Sequence, residues 1–324
     1  MLEEAICRIE PLIPRENVVI ATSEILAEPI RAAIPSLPPQ NVLAEPEKKN
    51  TAACLALAAA FLEKEHGDPS DLSMAVLTAD HLIGDEDAFR ATVQAALDAA
   101  HADGTLVTIG VRPTRAETGY GYVEVKDDIS TANPSLPVAN FREKPDLPTA
   151  EQYAASGRHL WNSGMFFWDV ATLNAGLEAH LPKLAAARPA MVQALRGEGD
   201  LAAIFAGLDD ISVDFGLMER AGNVSVVPAN FAWDDVGAWD ALARTREPDA
   251  AGNVATGEPV LIDAKDCIVY NAAGSDGQAV AVIGVENLIV ATTPDGILVV
   301  PKDRAQDVKR AVVALRDAKK EKFL

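Results

Sequence analysis

A chain of 324 residues has room for about two domains, on a prior of roughly 100–200 residues each. With 49% hydrophobic and 23% charged residues it can bury a sizeable core, which excludes disorder, collagen-like repeats and a disulfide-dense mini-protein. The 28 basic and 48 acidic residues leave a net charge of -20, which repels phosphate backbones and disfavours nucleic acids and anionic membrane surfaces as partners.

Cys7, Cys54 and Cys267 lie far apart without metal-ligand spacing, so buried thiols in a reducing compartment are expected. No basic-then-apolar leader opens the chain. The apolar helical run Ala52–Leu62 is too short to span a bilayer and ends at Glu63-Lys64-Glu65. A cytoplasmic location is the expectation.

Taken in order, Leu2, Ile6 and Ile9 recur at helical spacing. Asn17–Thr22 reads as a buried strand, and Ser23–Ala33 as a helix that Pro35, Pro38 and Pro39 end. A short strand, Val42–Ala44, leads through Glu45–Lys49 into an Ala-rich helix with Asn50 or Thr51 as its N-cap. Leu72–Thr78 is a strand, Glu86–His101 a helix and Thr105–Val111 a strand. Their near-continuous apolar runs predict a parallel sheet covered on both faces. Further strands are predicted at 121–125, 138–142, 165–168 and 224–227. After Arg246 the texture changes to a Glu-Pro-Asp linker and short β runs at 259–262, 267–271, 279–285, 288–291 and 297–300. That spacing predicts a small β domain or short solenoid, closed by a helix from Ala305 to about Lys320. The domains are therefore placed at 1–246 and 247–324.

Several segments are candidates for chemistry. Asp80 follows an apolar strand, at the sheet edge where ligands bind in α/β folds; it suits a divalent cation, or equally a turn or cap. Trp233–Trp239 holds two adjacent acids between two of the four tryptophans. Asp235 there suits a second metal carboxylate, because Mg²⁺ takes one or two carboxylates and completes its shell with water and phosphates. Glu117–Tyr122 offers two glycines for close backbone approach, Phe141–Pro145 an acid and a base at a strand end, and Trp161–Phe166 an amide and a hydroxyl. Each also reads as ordinary turn or surface chemistry. There is no GxGxxG, P-loop or nucleophile elbow, so covalent catalysis is not favoured.

In order and spacing, Ala44–Ala52, Thr78–Ile83, Glu117–Tyr122, Phe141–Pro145, Trp161–Phe166, Ser212–Glu219 and Trp233–Trp239 resemble the bacterial mannose-1-phosphate guanylyltransferases of the sugar nucleotidyltransferase superfamily. The tail at 280–285, 288–294 and 301–309 resembles that family too. The resemblance implies an α/β, Rossmann-like nucleotidyltransferase domain, then a small left-handed β-helix-like domain and a C-terminal helix. It implies that GTP and mannose 1-phosphate give GDP-mannose and pyrophosphate with Mg²⁺ or another divalent cation. Carried over by residue, Asp80 and Asp235 would hold the metal and Lys144 would face a phosphate. Glu45, Asn50, Thr51 and Asp80 would serve the nucleotide. Tyr120, Gly121, Glu143, Asn162, Asp214 and Glu219 would serve the sugar. Homodimers through the β domain are expected, and no fused isomerase domain.

The chain departs from the family pattern at Lys48, where glycine is common, and at Ala53, where proline is usual. Its start resembles the family's first long helix, so the first βα unit with its Gly-rich phosphate loop is expected to be absent, through a start at an internal methionine. Two other readings follow: a non-catalytic homologue that binds a sugar nucleotide or a partner subunit, and a guanylyltransferase for another sugar 1-phosphate.

Overall fold

The computed structural model describes residues 1–68, 72–127, 129 and 134–323. The chain divides into two compact units, Met1–Trp233 and Asp234–Leu324.

The first unit begins with α1 (Leu2–Ile9), whose Ile6 and Ile9 are buried. Strand β1 (Ile20–Ser23), helix α2 (Glu24–Ala33) and strand β2 (Val42–Glu45) follow. β1 and β2 pair in parallel, Ile20 opposite Val42 and Ser23 opposite Glu45. The buried Asn41 ties this unit together by donating from Nδ2 to the carbonyls of Glu16 and Val18, both at 2.9 Å. The Ala-rich helix α3 spans Asn50–His66, and β3 (Ser73–Val76), β4 (Leu82–Ile83), α4 (Glu86–Asp103) and β5 (Leu106–Val111) follow. Next come β6 (Gly121–Val125), β7 (Leu136–Arg142), α5 (Leu147–Ala155) and β8 (His159–Asp169). Helices α6 (Val170–His180), α7 (Pro182–Leu195) and α8 (Leu201–Ala206) then precede β9 (Val224–Pro228) and β10 (Trp233–Asp234).

Among the described residues, six strands join in the order β3-β8-β5-β9-β7-β6, and β6 pairs with β8 as well. Only β5–β9 is parallel in this sheet, and its other pairings are antiparallel. The parallel sheet expected from the apolar runs is thus corrected to a mixed one. Continuous apolar runs report coverage of both faces and carry no information on strand direction. Coverage is indeed two-sided. Phe166 and Trp168 of β8 enter a core shared with α3, α6, α7 and α8, while Met165 and Phe167 enter one shared with α4 and Ile9. This is the period of two expected of a strand. Each fully buried aromatic contributes about 1.5–3 kcal/mol. In α3, Ala52, Ala53, Ala56, Ala59 and Ala60 are each at most 1% exposed; their small side chains bring its backbone close to α7, and they share a core with the sheet.

Two local expectations change. The N-cap of α3 is Lys49, not Asn50 or Thr51. Asn50 has a positive φ of 63° and its Oδ1 accepts from the Thr51 N–H at 3.0 Å. Of the cysteines only Cys267 is fully buried; Cys54 is partly so, and Cys7 is exposed with Sγ 3.3 Å from Arg15 Nη2.

The second unit contains α9 (Ala241–Thr245), β11 (Val254–Thr256), β12 (Val260–Ile262), β13 (Ile268–Asn271), α10 (Gly274–Gly277), β14 (Ala281–Ile283), β15 (Leu288–Thr292), β16 (Ile297–Pro301) and α11 (Val308–Asp317). β11, β13 and β15 stack in parallel, Val254 on Ile268 on Ile289, with β16 antiparallel at the edge. β12 and β14 form a second parallel pair. Ala264, Cys267, Val269 and Val282 fill the core. Stacked rungs with tight corners make this a β-helix-like fold. Glu258, Asp263, Asp266 and Asn287 turn its corners at positive φ. Buried Asn253 accepts at Oδ1 from the Cys267 N–H at 2.9 Å and donates to the Ala264 carbonyl at 3.0 Å, bridging adjacent rungs. The C-terminal helix is shorter than expected, because residues 302–307 form a tight 3₁₀ turn.

Candidate functional site

The ends of β6, β7 and β8 converge in the first unit. Gly121 opens β6 and stands opposite Asn162 of β8. A Cβ on Gly121 would lie 2.4 Å from Glu143 Oε2 and 3.2 Å from Asn162 Cβ. The glycine therefore leaves a small cradle floored by a carboxylate and an amide. Glu143 follows β7, and its side chain is 9% exposed. Oε1 pairs with Lys144 Nζ at 2.5 Å, and Oε2 is buried without a hydrogen-bond partner. A buried acceptor left unpaired is costly, so this oxygen calls for a donor from water or from a bound molecule. The Glu143 backbone is fixed by its N–H donating to Glu219 Oε1 at 2.8 Å. Glu219 thus reaches the cradle through the backbone. Lys144, at φ 47°, turns its half-exposed amine outward from the same corner.

Asn162 is 7% exposed. Its Nδ2 donates to Asp214 Oδ1 at 3.0 Å, and its Oδ1 accepts from Thr108 Oγ1 at 2.7 Å and the Gly164 N–H at 3.3 Å. Asp214 opens a π-helical turn, Asp214–Met218, a rare device that recurs at functional sites. Burial, reinforced by the nearby Glu143 charge, pushes the Asp214 carboxyl up to about 6. The start of α3 meets this turn: Thr51 Oγ1 accepts from the Val213 N–H at 2.8 Å, and the Ala52 N–H donates to the Ile211 carbonyl at 3.2 Å. Glu45, at the end of β2, has a buried Oε1 without a partner, and desolvation raises its pKa. Burial and the adjacent Glu45 push the Cys54 thiol up to about 12, so Cys54 is inert.

Tyr120 is buried with its ring edge-on to Trp161 at 5.2 Å and Trp233 at 5.3 Å. The Arg115 guanidinium lies 5.0 Å from the Trp161 ring centre and pairs with Glu117 at 3.1 Å. Sequence reasoning missed Arg115, which lies between two of its motifs. It also missed Thr108, whose signal was a hydroxyl inside the apolar run Leu106–Val111.

Asp80 lies beyond β3 with its side chain 76% exposed. Next to it, His81 accepts at Nδ1 from Trp233 Nε1 at 3.0 Å. Indole N–H only donates, so the His81 proton sits on Nε2, which lies 3.9 Å from Asp80 Oδ1. Asp235 belongs to the second unit. There the two adjacent acids separate by role. Asp234 is 8% exposed and receives Arg244 through Nε at 2.6 Å and Nη2 at 3.0 Å. Asp235 is partly exposed, and its Oδ1 accepts from the Gly237 N–H at 3.1 Å. Among the described residues no three His, Cys, Asp or Glu side chains cluster as metal ligands. Exposed carboxylate oxygens such as those of Asp80 are the hard donors that fit Mg²⁺, which needs only one or two of them.

The first unit thus sets a cradle of Gly121, Glu143, Asn162 and Asp214 on a mixed sheet, and the second is β-helix-like. The chain belongs to the Nucleotidyl transferase family, which matches residues 16–251, and the MannoseP isomerase/GMP-like beta-helix domain matches residues 257–315. A mannose-1-phosphate guanylyltransferase of Klebsiella pneumoniae is 37% identical, across 100% of this chain and 68% of that protein. The xanthan biosynthesis protein XanB of Xanthomonas campestris is 35% identical, across 98% of this chain and 66% of its own length. This chain thus spans about two thirds of these relatives. A solved structure from Thermus thermophilus, described as a mannose-1-phosphate geranyltransferase, superposes with a TM-score of 0.84 at 35% identity, covering 97% of this chain and 89% of that one.

Proposed function

We propose that the protein transfers the guanylyl group of GTP to mannose 1-phosphate, giving GDP-mannose and pyrophosphate. A phosphate oxygen of the sugar phosphate attacks the α-phosphorus of GTP in line. The bond from that phosphorus to the β-phosphate oxygen breaks, and pyrophosphate leaves with the electron pair. The protein needs no nucleophile of its own; positioning and charge neutralisation carry the rate.

The orphaned Glu143 Oε2 beside Gly121 carries this reading. A mannosyl hydroxyl supplies the donor it lacks. Asn162 Nδ2 and Asp214 line the same cradle, Glu219 holds the Glu143 backbone, and Tyr120 packs beside it. Lys144 faces the sugar phosphate. Glu45 offers an acceptor to the N–H donors of guanine, and Asn50 and Thr51 serve the nucleotide at the start of α3. Asp80 would hold Mg²⁺, which would supply charge neutralisation at the phosphates when bound, and Asp235 of the second unit is the further metal carboxylate that the family resemblance implies. No helix among the described residues is long and apolar enough to cross a membrane, and we place the protein in the cytoplasm as a homodimer. We set its domain boundary after residue 246.

The test is pyrophosphate release by the purified chain with GTP, Mg²⁺ and each of several sugar 1-phosphates. Release with mannose 1-phosphate in preference to other hexose 1-phosphates is expected. No release from folded protein, or preference for another sugar, would overturn the assignment.

A further inference from the structure

This inference rests on the guanylyltransferase reading of the cradle and concerns a residue outside it. Thr108 lies mid-strand in β5 and is 0% exposed, as are Val107 and Ile109 beside it. Valine would fill the same volume without a polar atom, and a buried hydroxyl is unfavourable unless hydrogen-bonded. The Thr108 hydroxyl has two acceptors in reach for its one proton, Asn162 Oδ1 at 2.7 Å and the Met165 carbonyl at 3.0 Å. Both flank a bulge in β8. Thr108 pairs with Phe166 and Gly110 with Asn162, so Ser163, Gly164 and Met165 together face Ile109. Gly164 turns the bulge at φ 72°. Bulges of this kind re-aim side chains beside active sites.

The bulge leaves the Asn162 amide with a defined orientation. Its Oδ1 faces Thr108 and the Gly164 N–H, and its Nδ2 faces Asp214 and the space above Gly121. We propose that Thr108 is a positioning residue, whose hydroxyl pins the Asn162 amide so that Nδ2 is presented to the sugar and to Asp214. It acts on the sugar half of the ligand alone. Among the described residues Thr108 has no hydrogen bond to Glu45, Asn50 or Thr51.

Calorimetric titration of the full chain with GDP-mannose and with GDP, both with Mg²⁺, tests this. The ratio of the two Kd values reads the sugar's share of binding. Thr108→Val is expected to cut the wild-type preference for GDP-mannose by about tenfold while moving the Kd for GDP less than about twofold, as for loss of one hydrogen bond. Thr108→Ser, which keeps the hydroxyl, retains the preference. Should the Val variant not fold, Ser and Ala decide, since both lack the methyl and only Ala lacks the hydroxyl. Full preference in the variant without hydroxyl, or equal weakening of both ligands, would overturn the inference. A wild-type chain that binds GDP-mannose no better than GDP would instead refute the mannosyl reading of the cradle.

Discussion

Asp214 makes the site's electrostatics measurable. Its carboxyl titrates at about 6 in the fold against an ordinary value of 3.8. Between these values the folded state binds the extra proton, so Asp214 lowers stability as pH rises from about 4 to 6. Asp214→Asn removes that slope. Thermal denaturation of wild type and variant from pH 4 to 7 should show the wild type losing on the order of 2 kcal/mol relative to the variant. Parallel curves would refute the raised value. At this scale the sequence was only partly legible. Glu143, Asn162 and Asp214 stand out through a resemblance, yet nothing in their spacing reveals that Glu143 Oε2 lacks a partner or that Glu219 holds a backbone N–H. Such facts depend on which strand ends meet. Periodicity does not encode that.

The start of β6 and the segment after β10 show how elements divide labour. Gly121 is required for space. An alanine there would place its Cβ 2.4 Å from Glu143 Oε2, displacing the carboxylate from the cradle. Gly121→Ala is expected to weaken GDP-mannose at least about tenfold while the chain stays folded; unchanged affinity would show that the cradle is not the sugar site. Adjacent Asp234 and Asp235 should separate cleanly. Asp234→Ala removes the bidentate partner of Arg244, which is 25% exposed and keeps Asp240, costing about 1–3 kcal/mol of stability. Asp235→Asn should leave the melting temperature within about a degree, as for a partly exposed site away from the core, and abolish turnover. In sequence, Asp235 stands out for the metal but Asp234 shows no role, because its partner, Arg244, lies in the following helix. Strand and helix positions were largely legible from period and punctuation. Strand direction was not, nor were α6 to α8, which carry no motif.

Across the whole molecule, composition alone reports a globular acidic protein. A charge of -20 opposes anionic substrates at long range, and this opposition weakens with salt. Mannose 1-phosphate is therefore expected to bind no more weakly at about 0.3 M than at 0.05 M salt, unlike a ligand steered by a basic surface; a steep loss with salt would contradict this. The change in texture after Arg246 made two-part organisation legible. The β-helix-like stacking of the second unit follows from its evenly spaced turns, whereas the first rung, Val254–Thr256, has one large apolar residue and does not stand out in sequence. The account's central claim is that the Gly121–Glu143–Asn162–Asp214 cradle holds the sugar. A crystal structure of the chain with GDP-mannose tests it most directly. The account predicts a mannosyl hydroxyl within hydrogen-bond distance of Glu143 Oε2, with Asn162 Nδ2 facing the ring. A sugar bound elsewhere, with Oε2 still without a donor, would contradict it.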